Sequence, residues 1–416
     1  MKIINAVKVS LKKIPIIYEL NAKLKASSTQ KKTDELNNRF ESMIRTSAKQ
    51  YSPADVPNAV RYRLAQRGIV ARPIRKGEMK IFWVGANKEQ DYSGFIQSLR
   101  RFGEVAEFYH SSGQYGQEFS DKWYDLNVVE RNGRALLAQI EDVNQKSGKI
   151  DVLIGQMWAN FISVDVLNII RDMGIVVINI SMDDRLPQLW DVYGEIALGS
   201  VGLSSGLDLV LTSSPECCAR YFLNDCPSVF WPMGSDPDLF KPALLKDIDV
   251  VFVGNNYGNR GKIVNELLKN GINVQAFGNG WSNGYIGPEK MANVFGRSKI
   301  ILGIGTIAYS KDIYTLKLRD FDATMAGALY VTHRNPDLLN IFVEGEEIEC
   351  YLSTEEAVSK IVYYLKHDVE REEIASAALD RTRNFHTWDI RLCEAFSYAG
   401  FIEPIEQPYF TEKFFQ

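Results

Sequence analysis

Residues 312–335, DIYTLKLRDFDATMAGALYVTHRN, read as a cationic loop, then a helix, then a buried strand. Lys317 and Arg319 stand two apart where the helix begins. Asp322 follows, and Gly327 closes the helix five residues later. ALYVT (328–332) is apolar and β-branched enough for a strand. This order suits an anionic nucleotide. Basic groups and a helix N-terminus face phosphates, and a carboxylate is spaced to accept from ribose hydroxyls. An ordinary βα connection with solvated charges would use the same residue types.

Working outward, short Val- and Ile-rich runs recur on both sides. KIFWVGA (80–86), DVLIG (151–155), IVVINIS (175–181) and LDLVLTS (207–213) form one series. DIDVVFVG (247–254), NVQAFG (273–278), KIILGIG (299–305) and ALYVT form a second. Each run is bounded by polar residues or glycine, as buried parallel strands are. The gaps hold helical patterns, at 259–270, 288–298, 354–367 and 369–385 in the second series. Such alternation predicts an α/β doubly wound sheet in each half. The Pro-rich segment FWPMGSDPDLFKPALLKDID (230–249) has no helical period and reads as a linker. The expected organisation is a basic helical extension at 1–78, a Rossmann-like domain at 79–240, a second at 241–400, and a tail at 401–416. That tail holds five aromatics and is expected to dock on a domain surface.

In the extension, Ile3, Val7, Leu11, Ile14, Ile17, Leu20 and Leu24 recur at helical steps. Pro15 is expected to kink or split this helix, and SSTQKKTD (27–34) to break it. Residues 1–78 carry 17 Lys+Arg against 6 Asp+Glu, a net of +11, whereas the whole chain is at −4. A basic arm on an acidic body points to an anionic partner. An inner membrane surface with a lipid-linked acceptor is the leading expectation; a homodimer or packing on the first α/β domain are its rivals.

The 416 residues are 45% hydrophobic and 24% charged, which fits a globular protein. The apolar runs are too short for a membrane span, and the first 20 residues make a poor signal peptide. Five cysteines without a C-x-x-C pair and four scattered histidines suggest neither a disulfide framework nor a metal centre. A cytoplasmic setting follows, peripheral to the membrane if the arm binds lipid. Neither half shows G-x-G-x-x-G after its first strand, which disfavours a nicotinamide oxidoreductase.

Loops at the carboxyl ends of strands are where such sheets take ligands. VGNNYGNRGK (253–262) places Gly254, Gly258, Gly261 and Arg260 before a helix, a cradle for a phosphate. FGNGWSNGYIG (277–287) is glycine-rich and carries Trp281, a ring that either stacks on a base or anchors the loop. In the first half, NISMDDRLP (179–187) and WVGANKEQDYSGF (83–95) end at the cleft. Asp183 and His110 are the candidate general bases for an acceptor hydroxyl. Asp184 is expected to cap or to pair with Arg185. Gly85 and Asp91 are placed near the cleft.

The order R-x-F-[acid]-x-x-x-x-G-x-x-x-V-T resembles the C-terminal domain of CgeB-like glycosyltransferases, a GT-B group. The run D-V-x-F-V-G-x-x-Y-G-x-R, with Tyr257, followed by Gly278 and Trp281, is similar to the same family. The resemblance spans about 78–400. It implies two Rossmann-like domains facing a cleft and a glycosyltransferase using a nucleotide-diphosphate sugar, with no cofactor and no metal. By the same resemblance Gly254, Tyr257, Arg260, Gly278, Trp281, Lys317 and Arg319 hold the donor, and Asp322 holds its ribose. The acceptor would be a glycan, a lipid-linked sugar or a protein; nucleic acid is not an expected partner. MGSDPDLFKP (233–242) resembles the interdomain hinge of GT-B proteins at Asp236, Phe240 and Pro242. Two departures stand out. Asp322 replaces the family's Glu, and Tyr314 stands where many retaining enzymes carry a second glutamate. An inactive GT-B scaffold serving as a binding protein is the alternative reading.

Overall fold

The computed structural model describes residues 15–48, 50–258, 260–307, 310 and 313–403, with side chains from 24 onward. The extension's stripe from Ile3 to Ile14, the side chains of Ile17 and Leu20, most of its lysines, and tail residues 404–416 therefore lie outside the described residues.

Two parallel sheets form in chain order. The first contains β1 (Met79–Val84), β2 (Gly103–Glu107), β3 (Val152–Gly155), β4 (Val176–Ser181), β7 (Leu209–Thr212) and β8 (Ser228–Phe230). Between β4 and β7 lies a small hairpin, β5 (Val192–Tyr193) with β6 (Ile196–Ala197). The second sheet contains β9 (Ile248–Val253), β10 (Val274–Phe277), β11 (Ser298–Leu302), β12 (Leu329–His333) and β13 (Glu349–Tyr351). The spatial orders are β2-β1-β3-β4-β7-β8 and β10-β9-β11-β12-β13. Every pairing within these two sheets is parallel. Both orders reverse direction after their first strand, so each sheet opens a crevice there. β3 and β7 are buried at every residue, as strands covered by helices on both faces must be. The runs read from the sequence coincide with eight of these strands. β2, β8 and β13 were not apparent: β2 is partly exposed, and the other two are three residues long.

The segment 27–34 does not break the N-terminal helix, which runs unbroken over Pro15–Thr46. Thr33, Leu36 and Phe40 face inward, at 8%, 7% and 5% exposure. Phe40 meets Trp190 edge-on at 5.0 Å, and the Arg220 guanidinium lies over its ring. Thr33 donates back to Thr29 O at 2.9 Å. Burial of one face outweighs the weak propensity of Ser and Thr. The next helix, Val56–Ala65, buries Val56, Val60 and Leu64 in the first core. Arg67 spends its charge on Asp208 at 2.7 Å.

The linker crosses between the sheets at Ser235, which bridges to Thr387. The last helix, Trp388–Tyr398, returns to the first α/β unit. Trp388 packs against Phe95 at 5.1 Å, and Phe396 against Phe102 at 5.3 Å. Arg391 donates to Pro232 O at 2.9 Å. The hinge residues are structural: Asp236 accepts from Arg101 at 3.0 and 2.9 Å, and Phe240 is fully buried.

Candidate functional site

β9 ends at Gly254, whose backbone has φ +156°. A Cβ there would lie 3.0 Å from Arg319 Nη1 and 3.2 Å from Arg260 Nη1. Glycine thus lets two guanidiniums close over the strand end. Arg260 opens the helix Arg260–Lys269, and Arg319 lies in the first turn of Leu318–Met325. Both stand over the Phe252 ring, at 5.7 and 4.8 Å. Both are nearly enclosed, at 7% and 9% exposure, and the Nε of each lacks a protein partner. Arg260 donates to Asn255 O at 2.9 Å, and Arg319 donates to Val253 O. Burial, together with the Arg319 charge, pushes Arg260 down to about 10. Tyr257 stacks under Arg260 at 4.1 Å.

Lys317 is the half-buried residue before the second helix. Burial lowers its pKa, and the carboxylates of Asp183 and Asp320 work against that shift. Asp320 accepts from Lys317 N at 2.7 Å and so caps the helix. Asp183 comes from the loop after β4, so its influence on Lys317 crosses between the two sheets.

The loop after β10 completes the floor. Gly278, at φ +128°, packs against Gly254. Trp281 donates its indole N–H to Gly254 O at 2.7 Å and meets Phe252 edge-on at 5.9 Å. Of its two sequence readings, the loop anchor is the one these contacts fit. At the end of β12, His333 packs on Tyr351 at 4.6 Å. Its Nδ1 is enclosed without a protein partner. Burial and the Arg260 charge push His333 down to about 4, so it is neutral at physiological pH. The sequence reading missed His333; its one signal is a polar residue at a strand's carboxyl end.

The structure therefore gathers Gly254, Tyr257, Arg260, Gly278, Trp281, Lys317 and Arg319 around the crevice of the second sheet. Asp322 is buried against the linker. Its Oδ1 accepts from Ser235 Oγ at 2.8 Å in the linker, its Oδ2 has no protein partner, and burial raises its pKa well above the usual range. Tyr314 lies near His333 at 6.2 Å.

The two candidate bases are not brought together. His110 follows β2, three strand spacings (roughly 14 Å) from β4, after which Asp183 lies. His110 contacts Ser112 Oγ at 3.3 Å. Asp184 neither caps a helix nor pairs with Arg185. It is buried and accepts from Ser181, Thr212 and Tyr221 hydroxyls at 2.5, 2.6 and 2.8 Å. Arg185 instead bridges the cleft. It pairs with Glu216 at 2.7 Å and with Asp337 at 2.6 Å, and it donates to Tyr314 O at 2.9 Å. Among the described residues no cluster of three or more His, Cys, Asp or Glu could hold a metal. No helix among them is long and apolar enough to cross a membrane.

Two α/β units with this strand order, facing one another and stapled by a returning C-terminal helix, define the GT-B class of glycosyltransferase folds. Residues 245–397 match the family model described as Glycosyl transferase-like, so the second unit is a glycosyltransferase-like domain. The chain is similar to a glycosyltransferase from Rickettsia africae ESF-5, with 11% identity and a TM-score of 0.53 over 80% of this chain and 100% of that one. It is also similar to HepE from Anabaena, solved in complex with UDP-glucose, with 11% identity and a TM-score of 0.52 over 77% and 100%. Sucrose-phosphate synthase from Thermosynechococcus elongatus matches at 10% identity and a TM-score of 0.51, over 77% and 98%. No curated protein shows significant sequence similarity to the chain.

Proposed function

We propose that the protein transfers a sugar from a nucleoside diphosphate sugar to a glycan, lipid-linked or protein acceptor, without a metal. The observation that carries this reading is the pair of enclosed guanidiniums, Arg260 and Arg319. Neither forms an ion pair with a carboxylate among the described residues. Two buried positive charges side by side are costly unless an anion joins them. A diphosphate is such an anion. It would lie against Arg260, Arg319 and Lys317 at two helix N-termini, which supply the positive charge that a metal supplies elsewhere. The solved complex of HepE with UDP-glucose makes a uridine donor the first to test.

Arg319→Ala should weaken nucleotide binding about tenfold or more, since a charged hydrogen bond contributes roughly 1.5–3 kcal/mol. Calorimetry with UDP, GDP, dTDP and CMP on correctly folded protein checks it; unchanged affinities would remove the nucleotide from this crevice. Turnover should survive EDTA, and loss of activity restored by magnesium or manganese would show that a metal takes part.

The sequence motifs favour the CgeB-like group within this class. The alternative is an inactive scaffold, favoured by Tyr314 at the upstream carboxylate position and by the inward-facing Asp322. Hydrolysis of any sugar nucleotide by the purified protein separates the two.

A further inference from the structure

Asp91 lies just past β1, the strand at which the first sheet reverses direction, where open α/β sheets take ligands. It is 1% exposed and pairs with no cation among the described residues. Tyr115 donates its hydroxyl to Oδ2 at 2.8 Å, with the Trp83 indole N–H at 3.3 Å. Trp83 gives its shorter bond, 2.7 Å, to the Tyr115 oxygen. Backbone N–H groups of Ala86 and Asn87 also bond the carboxylate. Oδ1 has the amide of Gln156 at 3.3 Å, a long contact that an incoming hydroxyl can replace.

Asp91 and Gln156 line a cavity of about 10 Å³, room for one water-sized group, between the two α/β units. Its far wall is Leu318 and Trp388. Leu318 sits between Lys317 and Arg319, so the cavity runs from the Asp91 carboxyl to the start of the cationic helix. The void has room for about one hydroxyl, and an acceptor oxygen seated there would lie between Asp91 and the helix that carries Arg319. The other carboxyls of this half fit less well. Asp184 is sealed by three hydroxyls, and Asp183 is half-exposed.

We propose that Asp91 is the general base that takes the proton from the acceptor hydroxyl. The proposal rests on the glycosyltransferase reading above. As the acceptor O–H bond breaks, its proton passes to Asp91 Oδ1. The acceptor oxygen bonds to the anomeric carbon, and the bond from that carbon to the phosphate oxygen breaks. The electron pair leaves on the nucleoside diphosphate, whose charge meets Arg260, Arg319 and Lys317. A single displacement of this kind inverts the anomeric centre.

Burial pushes Asp91 up to about 6, against the pull of its hydrogen-bond donors. A base must be deprotonated to act, so activity falls as pH drops below about 6. Tyr115 faces Asp91, with Lys88 6.0 Å over the Tyr115 ring and Glu107 beyond. The walls from β4, the Leu318 helix and the last helix offer Ile180, Leu318 and Trp388, none of which titrates.

The test is turnover of UDP-glucose and other sugar nucleotides from pH 5 to 8, with water or a sugar as acceptor, beside nucleotide affinity by calorimetry. Asp91→Asn should lower kcat by about a hundredfold or more, leave nucleotide affinity unchanged and abolish the acid limb near pH 6; Asp91→Glu should restore part of kcat. An Asp91→Asn protein that binds nucleotide and keeps both its kcat and its acid limb overturns the assignment. The anomer released by the unaltered protein, read by NMR before mutarotation, needs no variant: inversion supports the base, and retention overturns it. If the unaltered protein turns over no donor at all, the glycosyltransferase reading itself fails, and this inference with it.

Discussion

Gly278 and Gly254 show how single residues set the floor of the candidate site. A Cβ on Gly278 would sit 2.5 Å from Gly254 O, a backbone atom that cannot swing aside. Its φ of +128° is also strained for any other residue. Gly278→Ala should therefore push the two loops apart and displace Trp281, whose indole bonds Gly254 O. The expected result is a loss of about 1–3 kcal/mol of stability with weaker nucleotide binding. Denaturant unfolding and calorimetry on the same variant check both. Affinity unchanged in a destabilised variant would show that the loop contact supports the fold alone. Gly254 was legible as a glycine of a phosphate loop, and Gly278 as part of the glycine-rich loop that carries Trp281. His333 was not, because its significance depends on Arg260 and Tyr351, both distant in sequence, packing beside it. Asp322 was legible as an acid at the right spacing. Spacing along a helix does not fix which way a side chain turns once Ser235 offers a hydrogen bond.

Elements decide how the two halves face one another. Arg185, in the loop after β4, holds Glu216 on its own side and Asp337 and Tyr314 O on the other. This cross-cleft contact lies beside Asp183 and close to the cationic helix. Asp337→Ala leaves Arg185 paired with Glu216 and removes one charged link. The molecule should shift toward an open arrangement, seen as a larger radius of gyration in small-angle X-ray scattering. An unchanged radius, with and without nucleotide, would mean that the linker and last helix alone set the angle. Neither arm of this contact was apparent in the sequence, since Arg185 reads as the natural partner of its neighbour Asp184. The unbroken helix at 15–46 was misjudged for a related reason. Ser and Thr at 27–29 favour a break locally, but Leu36 and Phe40 gain more by docking on Trp190 and the helix Pro215–Leu223.

At the scale of the whole molecule, the basic extension divides into two parts. From Thr33 onward it is bound to the first α/β unit, and Arg63 and Arg67 serve that packing. Leu24 is 61% exposed. The residues before it carry the apolar stripe and most of the lysines proposed to meet an anionic surface, where each basic residue contributes about 1 kcal/mol. Full-length protein should float with liposomes containing acidic lipid at low salt and be released at high salt. Protein that ignores such liposomes would leave self-association or packing as the role of the segment. Strand runs, glycine loops and the Lys317–Arg319 pair follow local rules of period, burial and backbone freedom, so composition and spacing alone determined two parallel α/β halves with a cationic crevice in the second. The rest needed contacts between residues far apart in sequence: the return of the last helix to the first unit, the inward turn of Asp322, the Arg185 bridge and the enclosure of Asp91 beside Leu318. Burial and hydrogen-bond satisfaction set those, and only the folded chain fixes which groups are buried and which partners they find.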